Sequence, residues 1–336
     1  MTRVLLSADD RTGSLEVGGL IATDKFSVPV GPDASSERCC VVDIASRHLS
    51  VAHAQARMEG LLTRPAEHRA HKMDAGLRGN WAHEVDVLLR GGYKVAIVCA
   101  FPDAGRRCKD GIVYIHDLPV LESVFGQDPL SAQISSKPAE VLEHFGVQGD
   151  VVVLDANDNT QMLEAVRWAI VEDRIVVGAS GAIGTFAQQF LESGPSRRVA
   201  LESPMVVLCG SLNPLSRQQI SLLDVPIHRV GSDFSVSGLL TVVATDEPDG
   251  PIGDVQAREM AEFAASEVRR RWPDIRSLIV IGGDTAGALV GDDTLETLGC
   301  VAPGIPVSLF DDRLLVTKGG GIGQPETVAK LCAALS

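Results

Sequence analysis

The chemistry this sequence can offer is gathered in a few short stretches. Asp9 and Asp10, followed at once by Thr12-Gly13, close the apolar run at 4–8. Lys72, Asp74, Arg78 and Asn80 sit together in HKMDAGLRGN at 71–80. Two glycine-rich turns come late: Gly282-Gly283-Asp284-Thr285 after the apolar residues 278–281, and Lys318-Gly319-Gly320-Gly321 after LLVT at 314–317. A strand that feeds a glycine turn and then a helix leaves backbone N–H groups pointing outward, and without Cβ atoms an anion can come close to them. The ordinary reading of Gly282-Gly283 is a strand-to-helix turn with Asp284 or Thr285 as N-cap. A second such turn carrying Lys318 tips the balance toward a phosphate site. Arg78 offers a fork of donors for a carboxylate or phosphate. Its alternative use is an i,i+4 charge pair with Asp74 in a solvated loop. Asp9 and Asp10 stand where open α/β sheets collect ligands, at a strand's carboxyl end, although turn and N-cap roles suit them too.

Other constellations are missing. The sequence has no GxxxxGK[ST], no GxSxG elbow and no HExxH or HxxxH spacing, which argues against a Walker-type loop, a hydrolase triad and a histidine-bound metal. The glycine turns depart from GxGxxG because Asp284 falls where a pyrophosphate would sit, so a dinucleotide oxidoreductase is a secondary reading. Seven cysteines, at 39, 40, 99, 108, 209, 300 and 332, show no CxxC spacing. Neither a disulfide framework nor a thiolate zinc site fits, and a reduced, cytoplasmic setting is expected.

The elements that must position these residues alternate. Apolar runs at 4–8, 41–44, 94–99, 151–154, 175–178, 205–209, 278–281 and 313–317 read as strands, with IHRV and LLTVVAT as further ones. Helices are expected from EVGGLIA at 16–22, over 49–62 (Leu49, Ala52, Ala56 and Leu61 on one face), from Trp81, over 137–145, 159–172, 182–192, 215–223 and 254–271, and from about 325. In the helix over 254–271, Val255, Met260, Phe263 and Val268 form the expected buried side. Residues 112–130 read as hairpin-like or irregular, broken by Pro119 and Pro129. This alternation predicts an α/β fold with mostly parallel sheets. The polar, proline-broken stretch at 193–204 is the expected boundary between two domains.

Composition sets the outer limits. At 336 residues the chain has room for two domains, and 45% hydrophobic with 22% charged residues is ordinary for a globular protein. A net charge of −14 leaves no basic face for a nucleic-acid partner. No apolar run approaches the roughly 20 residues of a membrane span, and no basic n-region with an apolar h-region opens the chain.

Taken in order, the motifs resemble those of the four-carbon acid sugar kinases (3-oxo-tetronate, threonate and erythronate kinases). ADDxTG is matched by Ala8-Asp9-Asp10-Arg11-Thr12-Gly13, KxDSTLRGN by residues 72–80, and FPxxGRxxxDG by residues 101–111. A GS pair is matched by Gly210-Ser211, GGDTA by 282–286, PGIP by 303–306 and KSGGFG by 318–323. The resemblance implies a sugar-acid-binding domain over 1–198 and a nucleotide-binding domain over 199–336, with the active site in the cleft between them. It implies phosphoryl transfer from ATP with Mg2+ to a hydroxyl of a small, tetronate-like acid, and a homodimer. Asp9, Asp10, Lys72, Asp74, Arg78 and Asn80 would bind the acid. Ser211, Gly282, Gly283, Asp284, Thr285, Lys318, Gly319, Gly320 and Gly321 would hold the nucleotide, and magnesium would sit on phosphate oxygens and water rather than on protein ligands. Asp284, Asp10 and Asp74 are the candidates for the catalytic carboxylate. Three departures stand out: Ala75-Gly76 replaces Ser-Thr, Leu15-Glu16 replaces Asn-Asp, and Gly319 replaces Ser. They leave open a different acid, or a nucleotide- or metabolite-binding homologue with impaired catalysis.

Overall fold

Alternating apolar runs and amphipathic segments give alternating strands and helices. A computed structural model describes residues 1–123, 125–126, 133–248, 250 and 252–333. The fold is α/β, and the chain divides into two compact units: residues 1–21 with 28–193, and residues 22–27 with 194–336.

The first unit runs β1 (Thr2–Ala8), α1 (Arg11–Ile21), β2 (Val28–Gly31), β3 (Cys39–Asp43), α2 (Val51–Leu62), β4 (Ala66–Lys72), α3 (Trp81–Arg90) and β5 (Lys94–Val98). It continues with β6 (Arg106–Lys109), β7 (Ile112–Ile115), β8 (Leu118–Pro119), α4 (Pro138–His144), β9 (Val151–Val153), α5 (Asn159–Val171), β10 (Arg174–Gly178) and α6 (Ser180–Gln188). Its strands lie in the order β2-β3-β1-β4-β10-β5-β9 with every pair parallel. A small antiparallel sheet, β6-β7-β8, takes up the first part of the stretch read as hairpin-like or irregular at 112–130; residues 124 and 127–130 of that stretch, Pro129 among them, lie outside the described residues. The chain leaves β1 toward β3 and returns to pair β4 on the opposite side. The strand order therefore reverses at β1, and ligands of open α/β sheets collect outside such a point.

The second unit runs β11 (Met205–Cys209), α7 (Pro214–Ser221), β12 (Ile227–Arg229), β13 (Leu240–Ala244), α8 (Asp254–Arg269), β14 (Ser277–Ile281) and α9 (Gly283–Val290). It ends with β15 (Leu295–Ala302), β16 (Ile305–Phe310), β17 (Arg313–Lys318) and α10 (Thr327–Ala333). The order is β12-β13-β11-β14-β17-β16-β15, parallel as far as β17 and antiparallel beyond it. Here the order reverses at β11.

Two helix faces differ from the periodicity reading. In α2 the buried residues are Ala54, Met58 and Leu61, while Ala52 and Ala56 are exposed. In α8 the buried side is Ala261, Ala264, Ala265 and Val268, and Val255 and Phe263 face outward at 69% and 48% exposure. Alanine fits either face of a helix, so a pattern that hangs on larger apolar residues can rotate away from the stripe that packs.

Candidate functional site

In the first unit, Ala8 pairs with Lys72 across β1 and β4, so Asp9 and Asp10 emerge beside the Lys72 ammonium. Lys72 Nζ donates to Asp9 Oδ1 at 3.0 Å and to Asp10 Oδ1 at 2.9 Å. Arg47, from the loop between β3 and α2, completes the group. Its Nε donates to Asp9 Oδ2 at 2.8 Å, and its Nη2 to Asp9 Oδ1 at 2.9 Å and Asp10 Oδ1 at 2.7 Å. The same Nη2 lies 3.4 Å from Asp74 Oδ1. Asp74 in turn accepts the forked Arg78 guanidinium, Nε to Oδ2 and Nη2 to Oδ1, both at 2.9 Å. The i,i+4 pair read from the sequence is therefore formed, inside a wider network rather than in a solvated loop.

Burial alone would raise the carboxyls of Asp10 and Asp74. Arg47 and Lys72 beside Asp10, and Arg78 and Arg47 beside Asp74, outweigh it and hold both well below the usual range. Burial likewise opposes the charge on Lys72, but Asp10 and Asp9 push that ammonium up to about 12. The network thus stays ionised at neutral pH. The side chains of Asp10 and Arg78 keep 22% and 21% exposure, whereas that of Asp9 has none. Asp10 and Arg78 face the solvent, and Asp9 anchors the two cations from below. Such a surface can accept hydroxyl hydrogen bonds on Asp10 and donate to a carboxylate from the guanidinium groups.

Other side chains set the frame. Asn80 Nδ2 donates to the carbonyls of Ser46 at 2.8 Å and Leu49 at 2.9 Å, so it braces the loop that carries Arg47. His71, beside Lys72 on β4, is buried; its Nδ1 lies 2.8 Å from Ser7 Oγ and its Nε2 2.9 Å from Glu84 Oε2 of α3. That chain ties both ends of the 73–80 loop to the sheet. On α1, Glu16 Oε2 accepts the Ser180 hydroxyl at 2.6 Å, and burial raises the Glu16 carboxyl. Burial also raises Asp43 to about 6, against the pull of Arg11, whose Nε is 3.5 Å away.

In the second unit the ends of three strands line up, Cys209 opposite Ile281 and Ile281 opposite Lys318. The turns that follow, at Gly210-Ser211, Gly282-Gly283 and 319–321, therefore converge. The N–H groups of Gly210 and Ser211 both donate to Ile281 O, at 3.0 and 3.1 Å, and Gly282 N–H donates to Lys318 O at 2.9 Å. These donors are engaged, contrary to a simple picture of open glycine amides. The groups that precede the first bond of α9, Ala286 N–H to Gly282 O at 3.0 Å, are the N–H of Gly283, Asp284 and Thr285. Gly282 adopts φ 123°, a backbone region that a side chain would strain. Asp284 is exposed in the first turn of α9, and Thr285 is buried.

Lys318 is 1% exposed. Its Nζ donates to Gly319 O at 2.9 Å, and Gly320 O lies 3.5 Å away. Among the described residues no carboxylate stands within ion-pair distance of it. Burial lowers it to about 8, against the pull of Cys209. A buried ammonium that lacks a counter-charge is costly unless an anion arrives.

Residues 4–145 match the model of a family described as the sugar-binding N-terminal domain. The chain is 25% identical to a D-threonate kinase of Bordetella bronchiseptica, over 98% of this chain and 96% of the relative. It is 24% identical to a 3-oxo-tetronate kinase of Pseudomonas savastanoi pv. phaseolicola, over 98% and 96%. The aligned span with the first relative, 401 positions, exceeds the 336 residues here, so that relative carries insertions. A crystal structure from Salmonella typhimurium LT2, of a tRNA synthase candidate, shares the fold with a TM-score of 0.76 and 17% identity, over 99% of this chain and 98% of that one. The likeness to kinases of four-carbon sugar acids, read from the motifs, thus extends along nearly the whole chain.

Proposed function

We propose that this chain is an ATP-dependent kinase that phosphorylates a hydroxyl of a small, four-carbon sugar acid. The observation that carries the reading is Lys318, a buried ammonium with carbonyl partners only, set where three glycine-bearing turns converge. The donor set fits a phosphate. At Gly320 an added Cβ would crowd Ser211 Oγ and stand 3.1 Å from Asn213 Cβ, so this turn packs closely against the Ser211 loop. In this reading Ser211, the first-turn N–H groups of 283–285, Lys318 and the turn at 319–321 hold the nucleotide. ATP with magnesium supplies the transferable phosphoryl group and neutralises its charge. The likeness to D-threonate and 3-oxo-tetronate kinases supports the acceptor class.

The first unit holds the acid. Arg78 and Arg47 are the groups for its carboxylate, and Asp10 accepts from a hydroxyl. Because Asp10 and Asp74 are held ionised by their cations, they are better at orienting the acceptor hydroxyl than at keeping its proton. We therefore assign proton removal to Asp284, the exposed carboxylate of the glycine loop.

The test is thermal stability against ATP–Mg, ADP–Mg, NAD and NADP, followed by ADP release with four-carbon sugar acids. The kinase reading expects a rise in Tm with the adenine nucleotides and turnover with an acid; no response to ATP or ADP would sink it. Ala75-Gly76, which has lost two hydroxyls relative to the resembled motif, supports one rival, a binder without catalysis. That rival expects the rise in Tm but no ADP from any acid.

A further inference from the structure

An apolar cluster adjoins the charged network at Asp74 and Arg78. Ala75 and Gly76 present no hydroxyl, and Phe125 is seated directly on Gly76: a Cβ added there would meet Phe125 Cβ and Cδ1 at 2.9 Å. The Phe125 ring carries two guanidiniums, with Arg78 Cζ 5.0 Å and Arg106 Cζ 5.8 Å from its centroid. Arg106 is buried, and its Nη1 donates to Ala104 O. Phe125 therefore joins, through Arg78, the same group of residues that holds Asp74. Cation–aromatic contact of this kind fixes both the ring and the arginines.

We propose that Phe125, admitted by Gly76, sets acceptor specificity toward a hydroxy acid that lacks one secondary hydroxyl of a tetronate. The proposal rests on the sugar-acid site assigned above. Hydroxyls directed at Asp10, the partly exposed carboxylate of the network, find a partner. A hydroxyl directed at Phe125 loses its water and gains none, while a methylene there gains contact. An apolar pocket rejects an added hydroxyl only moderately, by up to about 100-fold, so the preference is graded rather than absolute.

The experiment is calorimetric binding of D-threonate, D-erythronate, 2,4-dihydroxybutanoate and 3,4-dihydroxybutanoate to the wild-type chain and to Phe125→Ser and Phe125→Leu. The expected result is one dihydroxybutanoate bound at least about 10-fold more tightly than either tetronate. Phe125→Leu keeps that ratio, and Phe125→Ser brings it to within about 2-fold. Circular dichroism checks that both variants fold, and the leucine variant separates loss of the apolar wall from loss of packing. Tetronates bound as tightly as the deoxy acids by wild type, no measurable binding of either class, or a ratio indifferent to Phe125→Ser would each overturn the proposal. Binding is read without turnover; ADP release measured alongside bears on the kinase reading alone, so the two can fail separately.

Discussion

Arg47 is the side chain on which the charged site turns. It touches Asp9 and Asp10 and approaches Asp74, so it links the residues after β1 to those after β4. Removing one partner of a buried ion network leaves charge uncompensated, which typically costs 3–5 kcal/mol. Lys72 still neutralises part of Asp9 and Asp10, which sets the expectation for Arg47→Ala at the lower end, about 3 kcal/mol. Urea denaturation at pH 7 measures this, and sugar-acid binding should weaken at least about 10-fold in the same variant. A variant of wild-type stability would mean that the network contributes nothing net. The motifs marked Asp9, Asp10, Lys72 and Asp74 because strand ends and spacing advertise them. Arg47 is not legible in the sequence, because it follows β3 by four residues in a loop with no pattern. Arg106 falls within the FPxxGRxxxDG stretch at 101–111, but nothing in its spacing places it beside Phe125.

At the scale of elements, loops are aimed by polar pins from neighbouring helices. Asn80, the residue before α3, is a substrate-contact candidate by its place in the motif, and its amide donates to the Ser46 and Leu49 carbonyls. Asn80→Ala should take from the Leu49 carbonyl the amide that pairs it, while the Ser46 carbonyl keeps the Leu49 N–H; the expected cost is about 1 kcal/mol, with Arg47 loosened. The expected kinetic signature, in an assay that releases ADP, is a KM for the acid raised several-fold with a smaller change in kcat. An equal fall in kcat and kcat/KM would instead place Asn80 in the transition state. Strands and most helices were legible because buried parallel strands are near-continuous apolar runs. The His71–Glu84 bond was not, since it joins a strand and a helix across thirteen positions that no local period relates.

For the molecule as a whole, the displaced titrations pull stability in opposite directions, and the signs can be worked out group by group. Asp10 and Asp74 have folded pKa values below their unfolded ones, so their contribution is complete above the unfolded carboxylate range and is lost as pH falls from that range down through the folded values. Asp43, raised from 3.8 to about 6, acts the other way: its contribution is complete below 3.8 and lost as pH rises through 6. Lys318 governs the alkaline side. Its folded value of about 8 lies below the ordinary 10.5, so between these limits the unfolded chain binds more protons and stability rises with pH. The full shift corresponds to about 3 kcal/mol, gained between pH 8 and 10.5 as the buried charge is discharged. An anion on Lys318 should hold the proton in place. Adenine nucleotide is therefore expected to bind with proton uptake at pH 8.5–9, to weaken as pH rises, and to flatten the alkaline gain in stability when saturating. Calorimetry in buffers of different ionisation enthalpy, with Lys318→Met as the control that abolishes the effect, measures this directly. Nucleotide binding without proton uptake in that range would remove Lys318 from the phosphate seat.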